Sequence, residues 1–225
     1  MLMILFLLIA FLLGAIPFSY FFGKQLRGID LRQHGSGNLG ATNVFRTLGK
    51  GWGILCLVLD IGKGAVAVWL MSLAVAAWPP AFGNTVIDQP DLWRILAGAL
   101  AALGHTFSPF VGFKGGKGVA TTAGAFAVIA PYAVLVSFVA FAAVFFATRV
   151  VSIGSITAAS VMPVAVLFFE LKSSEPSLTI ILFSALVCAW VIFKHRTNIQ
   201  RLREGTEQRL DGPPDQHLPP PPEGE

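Results

Sequence analysis

The chain has 225 residues, of which 55% are hydrophobic and 12% charged, with a formal net charge of +4. A soluble globular domain carries about 25% charged residues, so the composition excludes an ordinary water-soluble enzyme. The basic excess does not mark a nucleic-acid partner either, because Lys and Arg flank apolar stretches, as membrane anchors do.

Taken in chain order, Met1 to Gly23 has no charged side chain. It lacks the basic start and small-residue cleavage site of a secretory leader, and reads as a retained first span. Further charge-free stretches run over 64–87 (with 51–59 leading into it), 95–113, 118–148, 150–169 and 176–193. A span needs roughly 20 apolar residues. The stretch 118–148 would make a helix of roughly 46 Å at the standard rise, and it holds Pro131, where a continuous helix kinks or breaks. Basic residues collect on the cytoplasmic side. Splitting 118–148 into two short spans puts thirteen of them there, including Arg149 and the basic end from Lys194 to Arg209. The expected fold is therefore an all-α polytopic membrane protein with seven transmembrane helices, two of them short. Its N-terminus is outside and its C-terminus cytoplasmic. Residues 1–210 form the membrane-embedded domain, and the proline-rich 211–225 reads as a disordered cytoplasmic tail. Cys56 and Cys188 lie inside apolar runs, with no disulfide framework and no metal-ligand spacing; neither metal nor cofactor is expected.

Three polar stretches interrupt this background. The first is His34-Gly-Ser-Gly-Asn-Leu-Gly-Ala-Thr-Asn-Val-Phe-Arg46. The second runs from Gly104-His105-Thr106-Phe107 to Phe113-Lys114-Gly115-Gly116-Lys117-Gly118. The third is Lys194-His-Arg-Thr-Asn198-Ile, ending in Gly205-Thr206-Glu207. Glycines let backbone N–H groups converge on an anion, and a following helix start adds positive potential. Arg46, Lys114 and Lys117 supply full charges, with the planar Arg fork suited to phosphate. Ser36, Thr42, Asn43 and Asn198 add neutral donors. Any one stretch could be a plain turn with snorkelling bases; three on one side, each mixing glycine, amide, hydroxyl and base, point to one or two phosphate groups at the membrane surface.

Two familiar signatures fail on context. Gly35-x-Gly37-x-x-Gly40 with Asp60 imitates a dinucleotide fingerprint, but it follows a membrane span rather than a strand. Gly115-Gly116-Lys117-Gly118 lacks the hydroxyl residue of a P-loop. No His-x-x-x-x-Asp and no G-x-S-x-G occurs. Asp60 and Lys63, three apart on one helix, can neutralise each other, as a structural ion pair or a functional intramembrane pair. His105 and His195 sit at the cytoplasmic ends of spans three and seven, where either serves as base or donor.

GSGNLGATNVFR (35–46), GHTFSPFVGFKGGKGVATTAG (104–124) and KHRTNIQRLREGTE (194–207) resemble the three motifs of the bacterial acyl-phosphate-dependent glycerol-3-phosphate acyltransferases. One departure is Pro109, one place later than the family pattern. The resemblance implies a multi-pass enzyme of the bacterial inner membrane with its active site facing the cytoplasm. It implies transfer of an acyl chain from acyl phosphate to the 1-hydroxyl of glycerol 3-phosphate, giving lysophosphatidic acid and phosphate for phospholipid biosynthesis. Its partners would be those two substrates and membrane lipid. An acyl phosphate is already activated, so the enzyme needs anion cradles, orientation and shielding rather than a covalent nucleophile. The expected catalytic set is Ser36, Arg46, Lys114, His195 and Asn198. Gly37, Asn38, Thr42, Asn43, His105, Gly115, Gly116, Lys117 and Ser152 are the expected substrate-binding set. The acyl phosphate is placed against Ser36, Gly37, Asn38 and Thr42, and glycerol 3-phosphate on Arg46, Lys114 and Asn198. A transporter or channel for a phosphate-bearing anion is the alternative, and a scaffold without chemistry leaves the donor-rich loops unexplained.

Overall fold

The computed structural model describes residues 2–78 and 90–212, which are helical with no strand among them. The external segment expected over 79–92 lies largely outside these residues, as does the tail beyond Gly212.

The first apolar run is two helices, α1 (Leu2–Ala15) and α2 (Phe18–Arg27), rather than one unbroken span. Pro17 has no N–H to give the Leu13 carbonyl, which instead takes the Ile16 N–H at 3.3 Å. At this break two carbonyls turn to distant side chains. Ala15 O accepts from Ser108 Oγ at 2.6 Å and Ile16 O from Lys63 Nζ at 2.9 Å.

The short α3 (Ala41–Leu48) leads into α4 (Lys50–Ala77), a single helix of 28 residues. The second span takes in the expected lead-in at 51–59, holds Asp60 and Lys63 as expected, and ends as a helix at Ala77. Then come α5 (Pro90–Thr106), a 3-10 turn at Pro109–Val111, α6 (Val119–Ile129) and α7 (Pro131–Thr148). The expected division of 118–148 into two helices is observed at Ala130, whose φ of −140° and ψ of 67° take it out of the helix. A residue before proline is pushed from the helical region by the ring. The chain ends in α8 (Val151–Glu170), α9 (Leu178–Lys194) and α10 (Arg196–Arg203).

Small residues set the packing. A Cβ at Gly64 would stand 1.9 Å from the Thr121 carbonyl oxygen, and one at Gly124 1.9 Å from that of Ile61, so α4 and α6 meet backbone to backbone. Gly14 and Gly104 do the same for α1 against α5. Between apolar helices in lipid, such close approach replaces the hydrophobic drive that water would supply. Ala10, Ala67, Met71 and Ala101 form one core among α1, α4 and α5. Phe126, Met162, Val166 and Cys188 belong to a second, shared by α6, α8 and α9.

Among the described residues, four helical segments are long and apolar enough to cross a membrane: Leu2–Arg27 taken through its break, α4, α7 and α8. A fifth is added if α9 and α10, bent by 53° at His195, count as one.

Candidate active site

The first polar loop is built around Asn43. Its Nδ2 donates to the carbonyls of Leu31 (2.9 Å) and His34 (3.1 Å), and its Oδ1 accepts the Ser36 N–H at 2.9 Å. All the amide's reach is spent inside the loop, and Asn43 is 1% exposed. Asn43 therefore shapes the loop and does not face the cavity described below, contrary to the expectation that it binds substrate. Gly37 has φ +69°, a left-handed turn that suits glycine. It sends the chain past Asn38 into Gly40, where α3 begins.

The second loop folds back on the end of α5. Gly115 N–H donates to Thr106 O (3.0 Å) and Gly116 N–H to His105 O (3.1 Å). A Cβ at Gly116 would lie 2.2 Å from His105 Nε2 and 2.4 Å from the Leu39 carbonyl oxygen. Only a glycine lets the two loops and the imidazole meet there. Gly115 and Gly116 thus act as spacers rather than as wall. Lys114 is exposed and also off the wall, whereas Lys117 lies on it.

The third motif closes the site. Lys117 Nζ donates to Asn198 Oδ1. Asn198 Nδ2 in turn donates to Glu207 Oε1 at 2.5 Å, and the same oxygen accepts from Ser152 Oγ at 2.7 Å. Arg201 Nε pairs with Glu207 Oε2 at 2.6 Å. Arg46 donates to the backbone carbonyl of Gln208 at 2.8 Å, and Leu210 N–H to that of Arg149 at 2.8 Å, so the segment after α10 is strapped across the α7–α8 junction. His195 donates its Nδ1–H to Val191 O at 2.7 Å, one turn back in α9, which leaves Nε2 as an acceptor.

These groups line one end of a cavity of about 700 Å³. Ser36, Gly37, Asn38, Thr42, Arg46, Lys117, Ser152, His195 and Asn198 of the expected set all reach its wall, and so does His105. The starts of α3, α6, α8 and α10 reach it as well, through Ala41, Val119, Val151 and Thr197. Each helix start carries unpaired N–H groups and a partial positive charge. Arg46, Lys117 and Arg201 stand here with Glu207, while Asp60, also on the wall, is paired with Lys63, so this end has a surplus of positive charge. Arg46 Nε is buried with no partner. Burial pulls the Lys117 ammonium down to about 8; Arg201, Arg46 and Lys194 push the same way, while Glu207 opposes. Burial likewise lowers Arg46, with Glu207 opposing. Burial alone would raise the Glu207 carboxyl, but hydrogen bonds from Arg201, Asn198 and Ser152 hold it below the usual range.

The other end is apolar. Phe126 and Ala127 of α6, Val134 and Phe138 of α7, Ala159 and Met162 of α8, and Val187 of α9 line it. A site for a charged head and a long apolar tail needs this division. Sequence reading missed Arg201 and left Glu207 without a role. The signal was a carboxylate just past the glycine turn at Gly205 with a basic residue six positions before it. Among the described residues no group of three or more potential metal ligands comes together.

Comparison with known proteins places the chain in a family. The family model for glycerol-3-phosphate acyltransferase matches residues 4–205. A glycerol-3-phosphate acyltransferase of Geobacter metallireducens is 46% identical over 201 residues, covering 89% of this chain and 94% of its own. One from Geotalea daltonii is 41% identical over 198 residues, 88% of this chain and 92% of its own. Two crystal structures of PlsY, an integral membrane glycerol 3-phosphate acyltransferase, superpose on the fold. The glycerol 3-phosphate form has a TM-score of 0.77 at 38% identity, and the lysophosphatidic acid form 0.74 at 37%; each covers 92% of this chain and 94% of its own. By its sequence along nearly its whole length and by its fold, this chain belongs to the glycerol-3-phosphate acyltransferase family.

Proposed function

We propose that the cavity carries out acyl transfer from an acyl phosphate to the 1-hydroxyl of glycerol 3-phosphate. The observation that carries this reading is the buried, unpartnered Arg46 Nε beside Lys117 and Arg201 at the head of an apolar cavity. An unmet charged donor in such a place calls for an anion, and the apolar end calls for a chain attached to it. Ser36, Gly37, Asn38 and Thr42 hold the acyl phosphate at the start of α3. Arg46, Lys117 and Asn198 hold glycerol 3-phosphate, so Lys117 takes the role expected of Lys114. The acyl chain lies between α6, α7, α8 and α9.

The 1-hydroxyl oxygen attacks the acyl carbonyl, and the bond from that carbon to the phosphate oxygen breaks. The phosphate leaves with the bonding pair and takes the hydroxyl proton. The mixed anhydride is already activated, so the chain's own work is to hold both phosphates and exclude water. His195 Nε2, an acceptor at the wall, orients the hydroxyl. Neither metal nor cofactor is required by this route.

The topology that goes with this reading is seven spans, the two short ones being α6 and α7 from the divided 118–148 stretch, with the N-terminus outside, the C-terminus cytoplasmic, and the active site on the cytoplasmic side of a bacterial inner membrane, residues 1–210 forming the embedded domain. The positive-inside count supports it. A reporter fused after Arg209 is expected to be active on the cytoplasmic side only; external activity overturns the topology. For the reaction, purified protein given acyl phosphate and labelled glycerol 3-phosphate is expected to form lysophosphatidic acid without any gradient. Flux of phosphate across vesicles with no product would restore the transporter reading.

A further inference from the structure

A second cluster of charge, inside the helical bundle and touching the same cavity through Asp60 and His105, is not used by the reaction as described. Lys63 of α4 is 5% exposed and Asp60 2%. The Lys63 ammonium has three polar neighbours, matching in number its three N–H groups. They are Ile16 O at 2.9 Å, Asp60 Oδ1 at 2.8 Å and His105 Nδ1 at 2.8 Å. An ammonium donating to Nδ1 leaves the His105 proton on Nε2. That ring edge is the one against Gly116 and the Leu39 carbonyl, where the first two loops meet. The His105 carbonyl also holds the Gly116 N–H. Lys117 follows directly. The Ile16 carbonyl reaches Lys63 at the break that Pro17 makes between α1 and α2, so the cluster ties α1, α4 and α5 at one point.

We infer that Lys63, held by Asp60, is a positioning residue for the phosphate cradle: it fixes the ring of His105, and that ring fixes the Gly115-Gly116-Lys117 turn that presents the Lys117 ammonium. The inference rests on the proposed reading that Lys117 binds the glycerol 3-phosphate. A buried ion pair that only braces the bundle makes a different prediction. Replacing both partners with neutral groups is often harmless to stability, whereas removing one leaves a buried charge unpaired.

The test compares wild type, Lys63→Met and the double variant Asp60→Asn with Lys63→Met. Each is purified in detergent and read for thermal transition and for kcat and KM toward glycerol 3-phosphate. The single variant is expected to lose stability. The double variant is expected to regain it while its KM for glycerol 3-phosphate stays raised by about tenfold or more, with kcat changed far less, because the cradle is displaced rather than dismantled. Recovery of KM together with stability overturns the inference, as does a fall in kcat alone. A readout independent of turnover separates this from the functional reading. In wild type labelled with 15N-histidine, the His105 signal, assigned by its loss in His105→Asn, is expected to show an unprotonated Nδ1 and a protonated Nε2. The opposite tautomer overturns the inference even if the double variant does not fold. Wild type that shows the expected tautomer but makes no product overturns the proposed reaction instead.

Discussion

Two ionic clusters touch the same cavity in this molecule, one fully buried and one half-buried, and they are built to opposite rules. Around Lys63, charge is closed: one ammonium, one carboxylate, and polar neighbours for each of the ammonium's N–H groups. Around Glu207, charge is open: one carboxylate faces Arg46, Lys117 and Arg201, with Arg46 Nε left without a partner. Burying an ion costs several kcal/mol unless it is paired, so the closed cluster can live among apolar helices. The open one stands at the head of a cavity, where the proposed substrate phosphate would complete it. A buried charge therefore reads as structural or functional by whether its donors are already spent.

The open cluster is the more sensitive of the two to substitution. Arg46→Ala or Lys117→Ala is expected to lower kcat/KM for glycerol 3-phosphate by about 100-fold or more, the scale of removing one preorganised donor, with membrane insertion unchanged. Activity within a few-fold of wild type in both would remove the cradle. Next, Glu207→Gln keeps the shape of the hydrogen bonds from Asn198 and Ser152 but deletes the charge that holds Arg201. Activity is expected to fall by about tenfold, the scale of one hydrogen bond to a charged group, and the thermal transition to fall with it as the strap from Thr206 to Leu210 loosens. Unchanged activity and melting would show that the strap carries nothing.

A smaller effect follows from pH. Lys117, pulled down to about 8 by burial, is charged below that pH and neutral above it. KM for glycerol 3-phosphate is therefore expected to rise as pH passes through about 8. Lys117→Arg, which stays charged throughout, should remove this alkaline limb even though its fork fits the site less well. A limb that persists in the Arg variant belongs to another group. The smallest effect is expected for Lys114→Ala, within about threefold of wild type, since an exposed lysine contributes little beyond weak, screened attraction. A large loss there would return Lys114 to the cradle and displace Lys117.

Much of this architecture is legible along the chain because it is local. Apolar runs, the bases that flank them and the proline at 131 report the membrane setting and the break between α6 and α7. The three motifs report that phosphate chemistry gathers at one end. What each motif residue does is not local. Lys114 and Lys117 look equivalent in a glycine-rich loop, and only the fold-back of that loop onto the ends of α5 turns one to solvent and the other to the cavity. Asn43 looks like a donor for substrate until its amide is found spent on Leu31, His34 and Ser36.

Hydropathy, charge bias and glycine content act residue by residue, so a helical membrane protein with motifs suited to phosphate is already written along the chain. Tertiary structure alone decided which cations meet in one cavity, that Glu207 counters them from a strap across the α7–α8 junction, and that His105 stands between Lys63 and the glycine turn. Those facts depend on the approach of helices far apart in the chain, which backbone contacts at Gly64, Gly124, Gly14 and Gly104 set and which no spacing along the sequence encodes.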